Sequence, residues 1–433
     1  MTDPSRTTTG APPQMTRPAP HAWWRRACQK LLLMGASCLV AVLLAEIMLR
    51  LVGYSSPVFL QPHEIYGTSL RPNLQGWFRL EGKAWNEFNS QGYHDVERIR
   101  EKPPGTIRIA VLGDSYTAAQ QVTRDKSFVS LLEKHLNAAG ALAGKKVEVL
   151  NFGCNGYGTA QELLVFRHEA RHYSPDYVIL AFLTGNDISD NSRALYDIPR
   201  PFFILNPDQS LRLDNSFLQS ADYQARTSVK GRWKYWLIDH SRLAQLLNTF
   251  RLVYEAAQQA TALSATNGQA GEIAPGMLDD VYLDTPPNDT WRNAWDVTAA
   301  LIRQLHQEVR EANAQLLVVS LSNPIQVSPE LTKDPHELSR SELIAKLGVA
   351  DLFAPDRKLQ QICQQDQIPC LLLAPSLWEI AKAEKTPLHG FAPRLDNGHW
   401  NERGHSAAAD LIAKWLVELP TDADQGASPP ATP

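Results

Sequence analysis

The chain reads as an α/β protein: a five-stranded parallel sheet with helices on both faces, behind one apolar N-terminal helix. Three observations lead there. Short apolar runs alternate with helix-length segments from Ile107 onward, the strand–helix alternation that builds parallel sheets. Polar clusters rich in Gly, Asn, Asp and Ser follow the strand candidates, where the carboxyl edge of such a sheet binds ligands. And one run near the N-terminus, Leu31–Ala45, contains no charge.

The elements follow in order. Residues 1–28 open with a Thr-, Pro- and Ala-rich stretch that has almost no large apolar residue, and are expected to be a disordered cytoplasmic N-terminus. Residues 29–53 are expected to be a transmembrane anchor. Leu31–Val52 as a helix covers about 33 Å, enough for the hydrocarbon core. Glu46 and Arg50 lie four apart and can pair on one face. Arg25, Arg26 and Lys30 precede the span, which puts the N-terminus in the cytoplasm and the rest outside the inner membrane, periplasmic or extracellular. A cleaved signal competes poorly, because Ala45-Glu46-Ile47 offers no good small-residue site. Cys38 as a lipoprotein cysteine and Arg25-Arg26 as a twin-arginine signal are weak for similar reasons of context.

Residues 54–105 are aromatic, punctuated by proline and without clear period, and read as a linker leading into a cap. The main domain is placed at 106–419. Its strands are Ile107–Leu112, "KVEVLNFG", "PDYVILAFLTGND", "QLLVVSLSNP" and "IPCLLLAP". Its helices are Phe128–Leu136, Gln161–Arg171, Trp291–Ala312, Asp356–Gln365 and Glu402–Leu419. An insertion at 189–288 breaks the alternation, and 420–433 is expected to be a disordered tail. The net charge of −4 gives no global reason to expect nucleic-acid binding. Five scattered cysteines make neither a disulfide scaffold nor a zinc-ligand pattern, although Cys363 and Cys370 are open to pairing outside the cytoplasm.

The first strand stops on Gly113-Asp114-Ser115, the second on "NFGCNGYG", the third on Gly185-Asn186-Asp187, and "DNGH", Asp396–His399, precedes the last helix. Each alone is an ordinary turn or cap. Together they supply what acyl transfer needs. A serine hydroxyl requires a histidine to take its proton, and the histidine requires a carboxylate to orient it. An oxyanion requires preorganised donors. Ser115, His399 and Asp396 fill the first roles. The N–H groups of Ser115 and Gly156 and the amide of Asn186 fill the oxyanion role.

At these positions the chain resembles the SGNH, or GDSL-type, hydrolases. The resemblance rests on GDS at Gly113–Ser115, N-x-x-x-x-G from Asn151 to Gly156, GND at Gly185–Asp187 and DxxH at Asp396–His399, from about Ile107 to Leu419 without the insertion. It implies a three-layer α/β/α, flavodoxin-like domain and a serine esterase acting on O-acyl, chiefly acetyl, esters through an acyl-enzyme. No cofactor and no metal are implied. The expected partners are the membrane and an ester-bearing substrate, with acylated cell-envelope glycans favoured. An O-acetyltransferase on the same triad and a non-catalytic glycan-binding or assembly protein are the alternatives. Tyr116 departs from the family pattern, and Gly153 and Gly158 compete with Gly156 for the oxyanion role.

Other residues have plainer readings. His405 is expected to be structural, Asp114 and Asp187 to orient backbone, His168 and His172 to face solvent, and Cys154 to pack. In the insertion, Lys230, Arg232, Trp233, Lys234, Tyr235 and Trp236 form either a small core or a platform on which sugars stack.

Overall fold

In a computed structural model, which describes residues 20–138, 140, 144–265, 279–330 and 338–419, every expected strand of the sheet is present. Of the tail expected at residues 1–28, residues 20–28 are helical rather than disordered; the rest of it, the expected C-terminal tail and much of the uncharged stretch of the insertion lie outside these residues.

A long helix, α1 (Pro20–Leu51), comes first, apolar enough from Trp23 to Leu51 to cross a membrane. A small ribbon of two strands follows, then a second, β1 (Gln75–Phe78) and β2 (Ala84–Glu87), paired antiparallel. Next come β3 (Thr106–Gly113), α2 (Phe128–Ala138), β4 (Lys146–Gly153), α3 (Thr159–His168) and β5 (Tyr177–Leu183). The insertion contributes a small ribbon and the helices α4 (Val229–His240) and α5 (Arg242–Ala265). The domain resumes with α6 (Asp289–Glu311), β6 (Gln315–Leu321), α7 (Ala354–Gln365), β7 (Cys370–Leu372) and α8 (Leu373–Glu384). It closes with the ribbon β8 (His389–Phe391) and β9 (Arg394–Trp400), and with α9 (Glu402–Glu418).

The sheet order is β7-β6-β5-β3-β4, all parallel. In strand sequence this is 5-4-3-1-2, the doubly wound flavodoxin-like order, so the fold class read from the sequence holds. Alternation along each strand explains the layers. Ala110, Leu112, Leu150, Leu180 and Phe182 face one core, under α3, α6 and α7. Ile109, Val111, Val149, Ile179 and Ala181 face the other, under α2, α8 and α9. The chain reverses direction of winding between β3 and β5, and at that point the strand ends open a crevice. Ser115 and Asn186 stand on its two sides.

Residues 54–105 are folded against this crevice. Phe59, Phe78 and Phe88 pack together and join the α3-side core. Asn86 donates to the carbonyl of Gln120 at 2.8 Å, and His94 bonds that of Ala118 at 2.8 Å. Asp95 and Arg98 reach the backbone of Asn151 and Val149 on β4. The segment is thereby tied to the turn that carries Ser115.

Candidate active site

Ser115 opens a one-turn helix, Ser115–Ala118, directly after β3. Asp114 is its N-cap, accepting from the N–H of Tyr116 at 2.8 Å, which turns the Ser115 side chain outward. Asn151 braces the turn from below: its amide donates to Thr117 O at 2.8 Å while its Oδ1 accepts from Gly153 N–H. Gly153 has to be glycine. A Cβ there would stand 2.4 Å from the backbone nitrogen of Ala118 and push the turn that carries Ser115 off the sheet. Gly153 is thus spoken for by packing. Gly158, another candidate, lies under Asp190 as the N-cap of α3.

Gly156, by contrast, is exposed, has φ +75° and has no atom within 4 Å of where a Cβ would sit. Asn186, half-buried at the end of β5, donates through Nδ2 to Asp114 Oδ2 at 3.3 Å, so Asp114 orients both the turn that carries Ser115 and this amide. Among the described residues, the N–H groups of Ser115 and Gly156 donate to no protein acceptor. Donors left open at a strand edge are what a developing oxyanion needs.

His399 reaches Ser115 from β9. Its Nε2 lies 2.7 Å from Ser115 Oγ, within reach for the hydroxyl to donate to it. The other ring nitrogen does not meet Asp396. It lies 2.5 Å from Glu81 Oε2, and the backbone N–H of His399 donates to Glu81 Oε1 at 2.6 Å. One carboxylate therefore holds the ring and the backbone of the same residue. Burial opposes the charge on Glu81, but its bonds to His399 and to Gln121 outweigh that, and its pKa sits below the usual glutamate value. Gly398 makes the approach possible: it has φ +81°, and a Cβ would come within 2.1 Å of Glu81 Oε1.

The pairing expected between Asp396 and His399 fails for a geometric reason. Both lie in β9, but its pairing register shifts between Leu395 and Trp400, and the left-handed backbone at Asp396 and Gly398 breaks the regular pleat between the two residues. Asp396 has φ +63° and turns to Ser328; burial raises its carboxyl to about 6 although that bond lowers it. Glu81, which the sequence reading did not single out, lies at the β1–β2 turn in "RLEGK". The available signal was a carboxylate beside a glycine, between two strands bearing Trp77 and Trp85, which pair edge to face.

The remaining candidates sort cleanly. His405 is buried and stacked on Phe128; its Nδ1 accepts from Phe128 N–H, and burial lowers its pKa to about 3, so it is a neutral support for α2. His389 is likewise buried, its pKa lowered to about 3. Asp187 accepts from Leu183 N–H at 2.8 Å, shaping the β5 turn. Burial raises the carboxyls of Asp114, Glu162, Asp187 and Asp190 beneath the site; Asp190 reaches about 7 despite Arg200 beside it. His168 and His172 are exposed, and Cys154 is buried. Cys363 and Cys370 face each other as thiols; this hydrogen bond, with burial, pushes the Cys370 thiol well up. Tyr116 donates to Gly398 O at 3.1 Å and packs on the His399 ring, so the departure from the family pattern supports the histidine. Trp233 and Trp236 do not form a small core: they are 62% and 50% exposed.

The chain matches no family model and no curated protein. Among solved structures it is similar to an acetyl xylan esterase, AlAXEase, at 12% identity, covering 72% of this chain and 100% of that one with a TM-score of 0.36. An acetylxylan esterase, Axe2, from Geobacillus stearothermophilus is 11% identical over 72% of this chain and 95% of that one, TM-score 0.36. A lipase/acylhydrolase from Enterococcus faecalis is 12% identical over 72% and 95%, TM-score 0.34. Likenesses this distant carry no weight for function; the site's own geometry does.

Proposed function

We propose that this chain is a membrane-anchored serine esterase of SGNH type. The observation that carries the reading is the continuous array Ser115 Oγ, His399 Nε2, His399 Nδ1 and Glu81, joined at 2.7 and 2.5 Å. In this mechanism His399 takes the proton from Ser115 as the oxygen attacks the ester carbonyl. Glu81 holds the tautomer with Nδ1 protonated and stabilises the imidazolium that forms. The tetrahedral oxyanion is held by the N–H groups of Ser115 and Gly156 and by Asn186. His399 then protonates the leaving alcohol, and water, activated by the same imidazole, releases the acid from Ser115.

Arg25, Arg26 and Lys30, in the first turns of α1 ahead of its uncharged run, support a cytoplasmic N-terminus and so a catalytic edge outside the inner membrane. Esters of cell-envelope glycans are accessible there, and acetyl groups on such glycans are the substrate we favour. The test is labelling of the full chain by a fluorophosphonate probe together with turnover of p-nitrophenyl acetate. Wild-type protein should react in both assays and Ser115→Ala in neither. A wild-type chain inert to the probe, or a Ser115→Ala chain that still turns over the ester, overturns the reading.

A further inference from the structure

The insertion ends up against the membrane helix. Glu46, near the C-terminal end of α1, caps the start of α5: Oε1 accepts from Arg242 N–H at 3.0 Å, and Oε2 accepts from Leu243 N–H at 3.0 Å and from Ser241 Oγ at 2.9 Å. Arg50, which also pairs with Glu46, donates to His240 O at 2.7 Å, the last residue of α4. Gln245 of α5 is buried and accepts from Ser56 N–H at 2.8 Å, and Thr249 meets Tyr54 and Ser56. The α4–α5 corner is thus bound to the end of α1 by backbone-directed contacts.

Both helices expose apolar stripes at helical spacing. On α4 the stripe is Val229, Trp233, Trp236 and Leu237 (i, i+4, i+7, i+8); on α5 it is Leu247, Phe250 and Tyr254 (i, i+3, i+7). All are exposed, and so are Ile47, Met48, Leu51 and Val52 at the adjoining end of α1. At about 100° per residue, Lys230 and Arg232 flank the α4 stripe on opposite sides. Lys230, Arg232 and Lys234 form no ion pair among the described residues, whereas the acidic residue of α4, Asp239, is held by Arg71 at 2.6 Å.

Distance along α1 sets the depth of this corner. Leu31 to Val52 is about 33 Å, close to a bilayer's hydrocarbon thickness, and Glu46 stands about 9 Å before its far end. With Arg25, Arg26 and Lys30 at one interface, Glu46 and the corner it caps fall in the boundary layer at the opposite face. Tryptophans and flanking cations are the side chains that layer favours.

We propose that α4 and α5 form a second membrane contact, laying Trp233, Trp236, Leu247 and Phe250 into the headgroup region of an anionic bilayer beside α1. The proposal rests on α1 being a span, and deepens the membrane part of the function above. It replaces the reading of the tryptophans as a sugar platform. A single transmembrane helix leaves its domain free to tilt and swivel. A second contact at the same corner removes that freedom and sets the active site's orientation over the bilayer.

The test uses the full chain, with Cys28 and Cys38 changed to Ser, in vesicles of phosphatidylcholine with phosphatidylglycerol and of phosphatidylcholine alone. A nitroxide is placed in turn at Trp236→Cys, Phe250→Cys, Leu39→Cys and Glu418→Cys, and its collisions with oxygen and with an aqueous nickel chelate are compared. The oxygen-to-nickel ratio should be several-fold higher at 236, 250 and 39 than at 418. At 236 it should fall when Lys230, Arg232 and Lys234 are changed to Glu in the phosphatidylglycerol vesicles, with 39 unchanged. If 39 reports lipid while 236 and 250 report water, the second contact is wrong and the anchor stands. If 39 also reports water, the anchor reading falls first. Labels at 236 and 250 shielded from both oxygen and nickel would mean a second copy or another protein covers the face, and would overturn the proposal. A ratio at 236 that ignores the charge reversal would overturn the preference for anionic lipid.

Discussion

The strand end carrying Ser115 and the hairpin turn carrying Glu81 approach the same imidazole from opposite kinds of structure. Ser115 extends from β3, a central strand whose residues Ile109–Leu112 are wholly buried between two parallel neighbours. Glu81 extends from a two-stranded ribbon outside the sheet, and a lone hairpin is marginal without a surface to pack on. The first position is set by the fold's deepest layer. The second depends on a docking contact made through Phe78, Phe88, Asn86 and His94. Ser115 is therefore tied to sheet topology, whereas Glu81 is tied to the docking of its hairpin beside His399.

The comparison can be broken most directly at the shared imidazole. Ser115→Ala or His399→Ala should each lower kcat for an acetyl ester by about six orders of magnitude with the fold intact by circular dichroism, as when a triad member is deleted. Near-wild-type turnover by either variant removes the premise of the comparison.

Glu81→Gln against Asp396→Asn comes next. We expect Glu81→Gln to lose about four orders of magnitude in kcat, the scale for an orienting carboxylate, because a neutral amide no longer fixes the tautomer. Asp396→Asn should lose less than about tenfold, since that carboxyl faces Ser328. The reverse ranking would restore Asp396 as the acid.

Asn186→Ala should cost about two to three orders of magnitude in kcat with KM nearly unchanged, as for one oxyanion donor. A change confined to KM would make Asn186 a ground-state contact. Gly398→Ala sharpens the hairpin side. The added Cβ displaces Glu81, and a shift of about 1 Å at an orienting group costs about a hundredfold. Wild-type kcat in this variant would show that the Glu81 contact is dispensable.

The smallest effect is on stability. Asp396 titrates near 6 in the folded chain, above the ordinary aspartate value, so the folded state holds the extra proton between those two values. Stability should therefore fall as pH rises through that window and be level above it. Asp396→Asn should remove this slope, so the wild-type melting temperature should drop relative to the variant as pH rises to about 6. Parallel curves for the two proteins would mean that Asp396 has an ordinary pKa.

Much of this was legible residue by residue. The buried strand through Ile109, Ala110, Val111 and Leu112, the backbone-orienting part of Asp114 and the pairing of Glu46 with Arg50 were all legible from the apolar run and from spacing. So was the convergence of Ser115 and Asn186, because parallel strands place their carboxyl ends on one edge. Glu81 was not legible, since it meets a histidine 318 positions away and its own segment shows no period. Nor was the capping of α5 by Glu46, across 196 positions.

What the sequence by itself determined is the set of strand ends, and with them Ser115 and Asn186 as residues at one edge. Those placements need only backbone periods, which neighbouring residues encode. What only the tertiary structure decided is which carboxylate serves His399 and what the α4–α5 corner rests against. Asp396 and His399 look adjacent in sequence, but the bulged, left-handed backbone between Leu395 and Trp400 turns Asp396 to Ser328 rather than to the imidazole. The place that Asp396 leaves beside the imidazole is filled by Glu81, because the hairpin packs there and Gly398 has no side chain to keep it out.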